Sequence, residues 1–166
     1  MAYTAPTAVS AGDALTATLY NTYVKDNIID HESRILALPR GVVASTTLAT
    51  TFATASVTPV DVTGLSVTFT AVAGRQYKIS AFCNMGSNVS AVCEFYIVTG
   101  ATTLAEAYLL PAAGIGGVSS YVLHTPGAGS VTYKIQANTA SGTLTMYGTN
   151  TRASIAARMI VEDIGV

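Results

Sequence analysis

Charged residues are scarce in this chain, and their scarcity argues against several kinds of protein. Lys, Arg, Asp and Glu make up 10% of the 166 residues, and the formal net charge is −1. No run of Lys or Arg occurs, so nothing in the sequence suggests the basic patch that nucleic acids require. No apolar stretch reaches the roughly 18 residues of a membrane-spanning helix. We therefore expect neither a nucleic-acid partner nor insertion into a membrane.

Few residues of the chain are suited to hold a metal or a cofactor. Cys83 and Cys93 are the only cysteines, and His31 and His124 are the only histidines. A structural zinc site needs about four ligands at short spacings, which these residues do not provide. We expect no metal and no cofactor, and we expect His124 to be a surface or subunit-contact residue. The cysteines are either two buried free thiols or a cross-strand disulfide, and the sequence leaves both open.

Residues for catalysis are equally scarce. No serine lies in a glycine-flanked turn, and no glycine-rich loop is followed by a phosphate-binding lysine. Glycoside hydrolysis needs two carboxylates across a cleft, and nothing in the spacing of Glu94 and Glu106 selects them for it. Glu162 and Asp163 are adjacent, so on a strand they face opposite sides. We expect a protein that is not an enzyme, with a cell-wall hydrolase as the remote alternative.

Half of the residues are apolar, which is unusual beside so few charges. Such a chain either buries surface between subunits or has an unusually neutral exterior, and we favour burial between subunits. Arg158 lies on the strand face opposite Ala157 and Met159. It is either a solvated strand residue or the partner of a carboxylate in a neighbouring subunit.

The sequence changes character between Leu38 and Gly41. A charged segment with helical patterning precedes this point, and short apolar alternations with few charges follow it. Pro39 and Gly41 are residues that end helices. We therefore predict an anchoring and bundle-forming segment over residues 1–40 and a β-sandwich over residues 41–166.

The N-terminal segment predicts an extended arm followed by one long α-helix. The arm covers residues 1–12, Asp13 is a suitable N-cap, and the helix runs over residues 14–38. A heptad pattern predicts a seam between helices, in which isoleucine at the a positions is compatible with trimers and a polar residue can fix the register at a cost in stability. The predicted seam residues are Asn21, Val24, Ile28, His31, Ile35 and Leu38. The predicted anchor residues are Tyr3, Pro6, Val9, Leu15, Leu19 and Tyr23. The alternative is that the helix packs along its own β-sandwich.

From Gly41 onward the apolar residues recur with a period of two. Leu65, Val67 and Phe69, for example, alternate with serine and threonine. About eight to ten such strands, separated by turn residues, are typical of a jelly-roll-like antiparallel β-sandwich. Two of the separating segments, Gly127–Gly129 and Ser141–Gly142, are predicted as hairpin turns. The predicted fold class is therefore mainly β.

Residues 11–35, AGDALTATLYNTYVKDNIIDHESRI, resemble the N-terminal region of bacteriophage virion proteins. There a short arm precedes a segment of the form (A/G)-G-x-x-L-T followed by N-x-Y-(V/L)-(K/R)-D-N. The matching residues here are Gly12, Leu15, Thr16, Asn21, Tyr23, Val24, Lys25, Asp26 and Asn27. Residues 63–81 and 129–165 look like the β knobs of phage fibre and decoration proteins.

The resemblance implies a structural component of the virion surface. Knobs of this kind commonly form trimers, so a homotrimeric capsid decoration or head-fibre protein is the expectation, with capsid or tail proteins of the phage as its partners. Such a protein is made and assembled in the bacterial cytoplasm. This agrees with an N-terminus that lacks the basic start and apolar core of a signal peptide.

The alternative within the same family is a tail fibre or tail protein that binds a receptor or glycan on the host cell surface. Binding residues concentrate on loops, which points to Asn84–Ala91 and Ala112–Ser120 as its recognition surface. Few aromatic residues occur in these two segments, and this weakens the case for a sugar platform.

Overall fold

The computed structural model describes residues 16–110, 114–152 and 156–166. The chain divides after Leu38 into a helical unit and a β unit. The predicted arm over residues 1–12 and the predicted N-cap Asp13 lie outside the described residues.

The helical unit is less regular than the single α-helix that the sequence predicts. It consists of α1 (Ala17–Tyr20), a π-helical turn (Asn21–Lys25) and α2 (Asp26–Ala37). In the π turn, the backbone N–H of Asp26 donates to the carbonyl of Asn21, five residues back. Residues 21–24 are Asn, Thr, Tyr and Val, which all have low helix propensity. The regular α-helix is therefore interrupted where residues of low helix propensity follow one another.

The helix α2 ends at Ala37, one residue earlier than predicted. Leu38, which follows α2, has φ −64° and ψ 148° and is extended. The ring of Pro39 clashes with a helical conformation of the residue before it. The boundary is thus set by the proline, as the sequence indicates.

The β unit is a jelly-roll-like sandwich of two antiparallel sheets, which confirms the predicted mainly-β fold. The strands are β1 (Gly41–Thr47), β2 (Phe52–Thr54), β3 (Val60–Ala71), β4 (Gln76–Ser87), β5 (Cys93–Thr99), β6 (Thr102–Leu109), β7 (Ile115–His124), β8 (Gly129–Thr139), β9 (Leu144–Met146) and β10 (Arg158–Gly165), with the short α3 (Thr149–Arg152) before β10. The first sheet has the order β1-β10-β4-β9-β2, and β7 also pairs with β4. The second sheet has the order β3-β8-β5-β6.

Two predicted hairpin turns are wrong. Gly127–Gly129 leads from β7 into β8, and Ser141–Gly142 lies between β8 and β9. In both places the two strands belong to different sheets, so these segments cross the sandwich instead of closing a hairpin. Glycines and serines indicate where the chain turns, but not which strand the next one pairs with.

The core lies between the two sheets and follows the predicted alternation. Leu65 and Val67 are buried, whereas Ser66 and Thr68 on the same strand are exposed. The largest fully buried side chains are Leu48, Leu65, Tyr77, Ile79, Met85, Phe95, Ile97, Tyr133, Ile135, Leu144, Met146 and Met159. All of them belong to the β unit.

Both cysteines lie in this core. Cys83 and Cys93 are fully buried free thiols, so of the two alternatives left open by the sequence the structure has the unbridged one. Burial raises the pKa of Cys83 to about 12. A thiol that stays protonated at neutral pH and is hidden from solvent is chemically inert.

Candidate interaction surfaces

The predicted seam residues are exposed along the helical unit. Ile28 is 53% and Ile35 is 54% exposed, and no described residue of α2 is buried. The other members of the predicted seam, Asn21, Val24, His31 and Leu38, are exposed as well. Exposed isoleucines at helical spacing are costly in water, which points to a partner surface.

Two shallow cavities lie along this face of the helix. The first, of about 540 Å³, is lined by Val24 and Ile28 and by five polar or charged residues, Asn27, Asp30, His31, Glu32 and Arg34. The second, of about 400 Å³, is lined by His31, Arg34, Ile35, Ala37 and Leu38. His31 borders both cavities. The role of these residues in a seam between helices stays a prediction from the sequence.

The π turn changes which residue continues the seam toward the N-terminus. Residues three or four apart share a face in an α-helix, but the i to i+5 bond adds one residue to the turn. Tyr20 is thereby brought into line with Val24 and Ile28, and Asn21 is turned away from that line. Tyr20 is exposed and presents an aromatic ring at this point.

The predicted anchor residues are outside what the structure describes in detail. Tyr3, Pro6, Val9 and Leu15 lie outside the described residues. Leu19 lies in α1 and Tyr23 in the π turn, where the description covers the backbone. Their role as an anchor stays a prediction from the sequence.

The two predicted recognition loops are largely strands. Asn84 to Ser87 belong to β4, and residues 115–120 belong to β7, because Asn84 pairs with Gly117 and Gly86 pairs with Ile115. The part that is a loop is held to the β8–β9 connection, since the side-chain oxygen of Asn88 accepts a 2.7 Å hydrogen bond from the N–H of Thr143. Residues 112 and 113 lie outside the described residues.

Glu94 and Glu106 do lie together, on neighbouring strands of the second sheet. They line one cavity with Tyr96 and Tyr108, and the hydroxyl of Tyr96 donates a 2.6 Å hydrogen bond to Glu94 Oε2. Burial, followed by this bond, raises the pKa of Tyr96 to about 12. The cavity measures about 10 Å³, whereas small-molecule sites span about 300–1,000 Å³. The pair therefore lacks the cleft that a sugar ring needs.

His124 is half-buried and its side chain contacts a residue of another strand. Its Nδ1 lies 2.7 Å from the hydroxyl of Tyr133, and the two rings meet edge to face. Burial raises the pKa of Tyr133 to about 12, so its hydroxyl stays neutral. The contact joins β7 to β8 across the sandwich.

The outer face of the first sheet carries a depression that the sequence did not reveal. It is a cavity of about 450 Å³, lined by residues of β4, β7 and β10. The guanidinium of Arg158 lies 5.7 Å from the ring centre of Phe82, and Lys78 Nζ lies 5.7 Å from that of Tyr121. Alternation in the sequence places Lys78, Ser80 and Arg158 on outward strand faces, but it does not bring them together.

The described part of the chain contains no group of three or more His, Cys, Asp or Glu side chains that could hold a metal ion. Within the described ranges, no helix combines the length and apolar character needed to cross a membrane.

Comparisons with known proteins bear on the fold alone. No protein-family model matches the chain, and no curated protein matches it. Eiger TNF from S. frugiperda is similar at a TM-score of 0.47 with 10% identity, over 76% of this chain and 94% of that one. The structure of the infectious bursal disease virus Gt strain is similar at a TM-score of 0.43 with 14% identity, over 77% of this chain and 38% of that one. The C-terminal CBM6 of LamC from Zobellia galactanivorans is similar at a TM-score of 0.35 with 16% identity, over 70% of this chain and 99% of that one.

Proposed function

We propose that the chain is a structural protein of a bacteriophage virion. In this proposal it is a homotrimeric head-decoration or head-fibre protein, held on the capsid by its N-terminal segment and carrying the β unit. The observation that carries the proposal is the exposed apolar row of α2, whose members Ile28 and Ile35 are each more than half exposed. The resemblance of residues 11–35 to phage virion proteins supplies the context.

A second and a third copy of the helix are the occupants that suit this row. Isoleucine at the a positions of a heptad is compatible with three-stranded bundles, and His31 would set the register. The β unit builds its core from its own residues, because among the described residues the fully buried large side chains all lie after residue 41. The helix is therefore not needed to complete that core, which leaves its apolar row for self-association.

A protein of this kind works by mass action. A chain that binds the assembled shell and not its free subunits stabilises the shell by the free energy of that binding. Three arms on one trimer raise the effective affinity, since the second and third contacts become intramolecular. No chemical step is required, and the proposal assigns the protein no catalytic activity.

Assembly in the host cytoplasm completes the proposal. The cytoplasm keeps thiols reduced, and the two core cysteines of this chain are free. The proposed partners are the chain itself and the capsid proteins of the phage.

The mass of the purified full-length chain, measured by light scattering, is the first test. The proposal expects about three times the 17.0 kDa of one chain. Co-sedimentation of the same sample with capsids that lack it tests the second half of the proposal. A monomer that does not sediment with capsids would contradict both halves. A trimer that binds host cells in place of capsids would favour the tail-fibre alternative.

A further inference from the structure

Several large exposed apolar side chains of the β unit lie on or beside β6 and on β7. β6 is an edge strand of its sheet, β7 pairs only with β4, and the two strands lie against one another. Tyr108, on the outer face of the second sheet, is 71% exposed, and Tyr121, on the outer face of the first sheet, is 64% exposed. The other exposed large apolar residues here are Leu110, Ile115 and Leu123. Patches of this kind on a folded domain mark interaction sites.

The depression on the first sheet includes Tyr121 and is built by strand register. Arg158, Phe82 and Ser119 stand in one row across β10, β4 and β7. The next row consists of Ile160, Ser80 and Tyr121. Ser119 ends the first row and Ser80 lies in the middle of the second, and the larger side chains around these serines leave a hollow with aromatic and cationic walls.

Two charges flank these surfaces without an ion-pair partner among the described residues. Lys78 pairs with Glu162 at 3.3 Å, Lys134 with Asp61 at 2.7 Å and Arg75 with Asp163 at 2.6 Å. Arg158, on the wall of the depression, has no carboxylate in salt-bridge distance within this described set. Glu106, which shares the exposed side of β6 with Tyr108, likewise has no cation there.

We propose that a second copy of the chain occupies the depression. β6 of one copy, with Tyr108 and the following Leu110, lies in the depression of the next copy, and Glu106 of the first pairs with Arg158 of the second. The two contacting surfaces are different parts of the same chain, so the contact is head-to-tail and closes into a ring when its rotation allows. The opposite charges on the two surfaces are what select a second copy over another occupant.

This contact goes beyond the proposed function, which places self-association in the helix. It concerns the β unit, and it stands or falls independently of the seam. If both exist, they belong to the same trimer and reinforce one another by effective concentration. If only the β contact exists, the helix is available to bind something else.

Disulfide trapping with two different chains, each carrying one added cysteine, tests the head-to-tail geometry. Leu110→Cys and Ser119→Cys are exposed substitutions in full-length chains, and the native thiols are buried and do not compete. An equimolar mixture of the two chains, refolded together and mildly oxidised, should give an interchain disulfide between unlike chains. Val57→Cys mixed with Ser119→Cys is the matched control, because Val57 is exposed elsewhere on the β unit.

A charge exchange tests the pairing itself. Arg158→Glu and Glu106→Arg should each raise the dissociation constant between copies by about tenfold or more, as close interfacial charge pairs do. The chain that carries both changes should regain most of the affinity. Melting curves of each variant establish that the fold is retained.

Each outcome of these experiments either supports or overturns the proposed contact between copies. Disulfides that form within the Ser119→Cys sample alone would mean a face-to-face contact and would overturn the head-to-tail arrangement. Absence of the mixed disulfide, or failure of the double exchange to restore affinity, would overturn it as well. A monomeric chain whose Tyr121→Ala variant loses binding on a glycan array would replace the second copy by a sugar. Ile28→Cys chains that do not cross-link, beside a mixed disulfide that forms, would remove the helical seam and keep this contact.

Discussion

At the scale of single residues, one buried ion pair ties the last strand to the rest of the sandwich. Arg75 donates to both carboxylate oxygens of Asp163, at 2.6 and 2.7 Å, and the N–H of Gly165 adds a third bond at 3.0 Å. Both side chains are almost fully buried, at 3% and 2% exposure. The sequence indicated that Glu162 and Asp163 face opposite sides, and they do, but the partner of Asp163 is 88 positions away along the chain. Local patterns carry no information at that distance.

This ion pair predicts a loss of stability in acid. The Arg75 guanidinium holds the pKa of the Asp163 carboxyl below its ordinary value of 3.8. Because the folded-state pKa is the lower one, the stabilisation is complete above about pH 4 and is lost as the pH falls further toward the lowered value. The melting temperature, followed by circular dichroism between about pH 7 and pH 2.5, should therefore drop steeply below about pH 4.

Two variants separate Asp163 from the other carboxylates. Asp163→Asn should lower the melting temperature at neutral pH by about 10 °C, because it leaves a buried guanidinium without its counter-charge. It should also show a shallower drop in acid. Asp61→Asn is the control, since Asp61 also has a lowered pKa, caused first by its hydrogen bond to Lys134, but lies exposed. Equal pH profiles for wild type and Asp163→Asn would contradict the assignment.

At the scale of elements, the sequence predicts whether a segment is a helix or a strand better than it predicts which strands pair with one another. The alternation of Leu65 and Val67 with serine and threonine located a strand correctly, since burial of one face acts on every second residue. The partners of that strand depend on contacts between distant segments. Both hairpin predictions failed for this reason. The π turn was missed as well, because a heptad pattern assumes the regular helix that low-propensity residues at 21–24 interrupt.

The π turn predicts which residue extends the seam. If Tyr20 continues the line of Val24 and Ile28, oxidation should link Tyr20→Cys chains into dimers about as readily as Ile28→Cys chains. Asn21→Cys chains should link several-fold less, like the control Ser33→Cys on another side of α2. Non-reducing gels of the four oxidised full-length chains measure this. Efficient linking through Asn21 and not through Tyr20 would mean that the heptad runs through the turn unchanged.

At the scale of the whole molecule, the composition and the exposed apolar side chains both favour burial of surface between subunits. A chain with 10% charged residues has little polar material to cover its exterior. Its exposed large apolar side chains include a row on α2 and several on or beside β6 and on β7. The helical face could be predicted because its residues are close in sequence. The depression could not, since register alone brings Arg158 beside Phe82.

Removing the arm separates assembly from attachment. Suppose that residues 1–12 bind the capsid and that the rest of the chain self-associates. The chain without residues 1–12 should then keep the oligomeric state of the intact protein and no longer sediment with capsids. Mixed trimers sharpen the test, because avidity makes binding fall faster than the number of arms. A trimer with one arm should therefore bind far less than one third as well as a trimer with three. Capsid binding by the truncated chain at the wild-type level would show that attachment resides in α2 or the β unit, and the apolar row of the helix would then be the first surface to examine for a capsid contact.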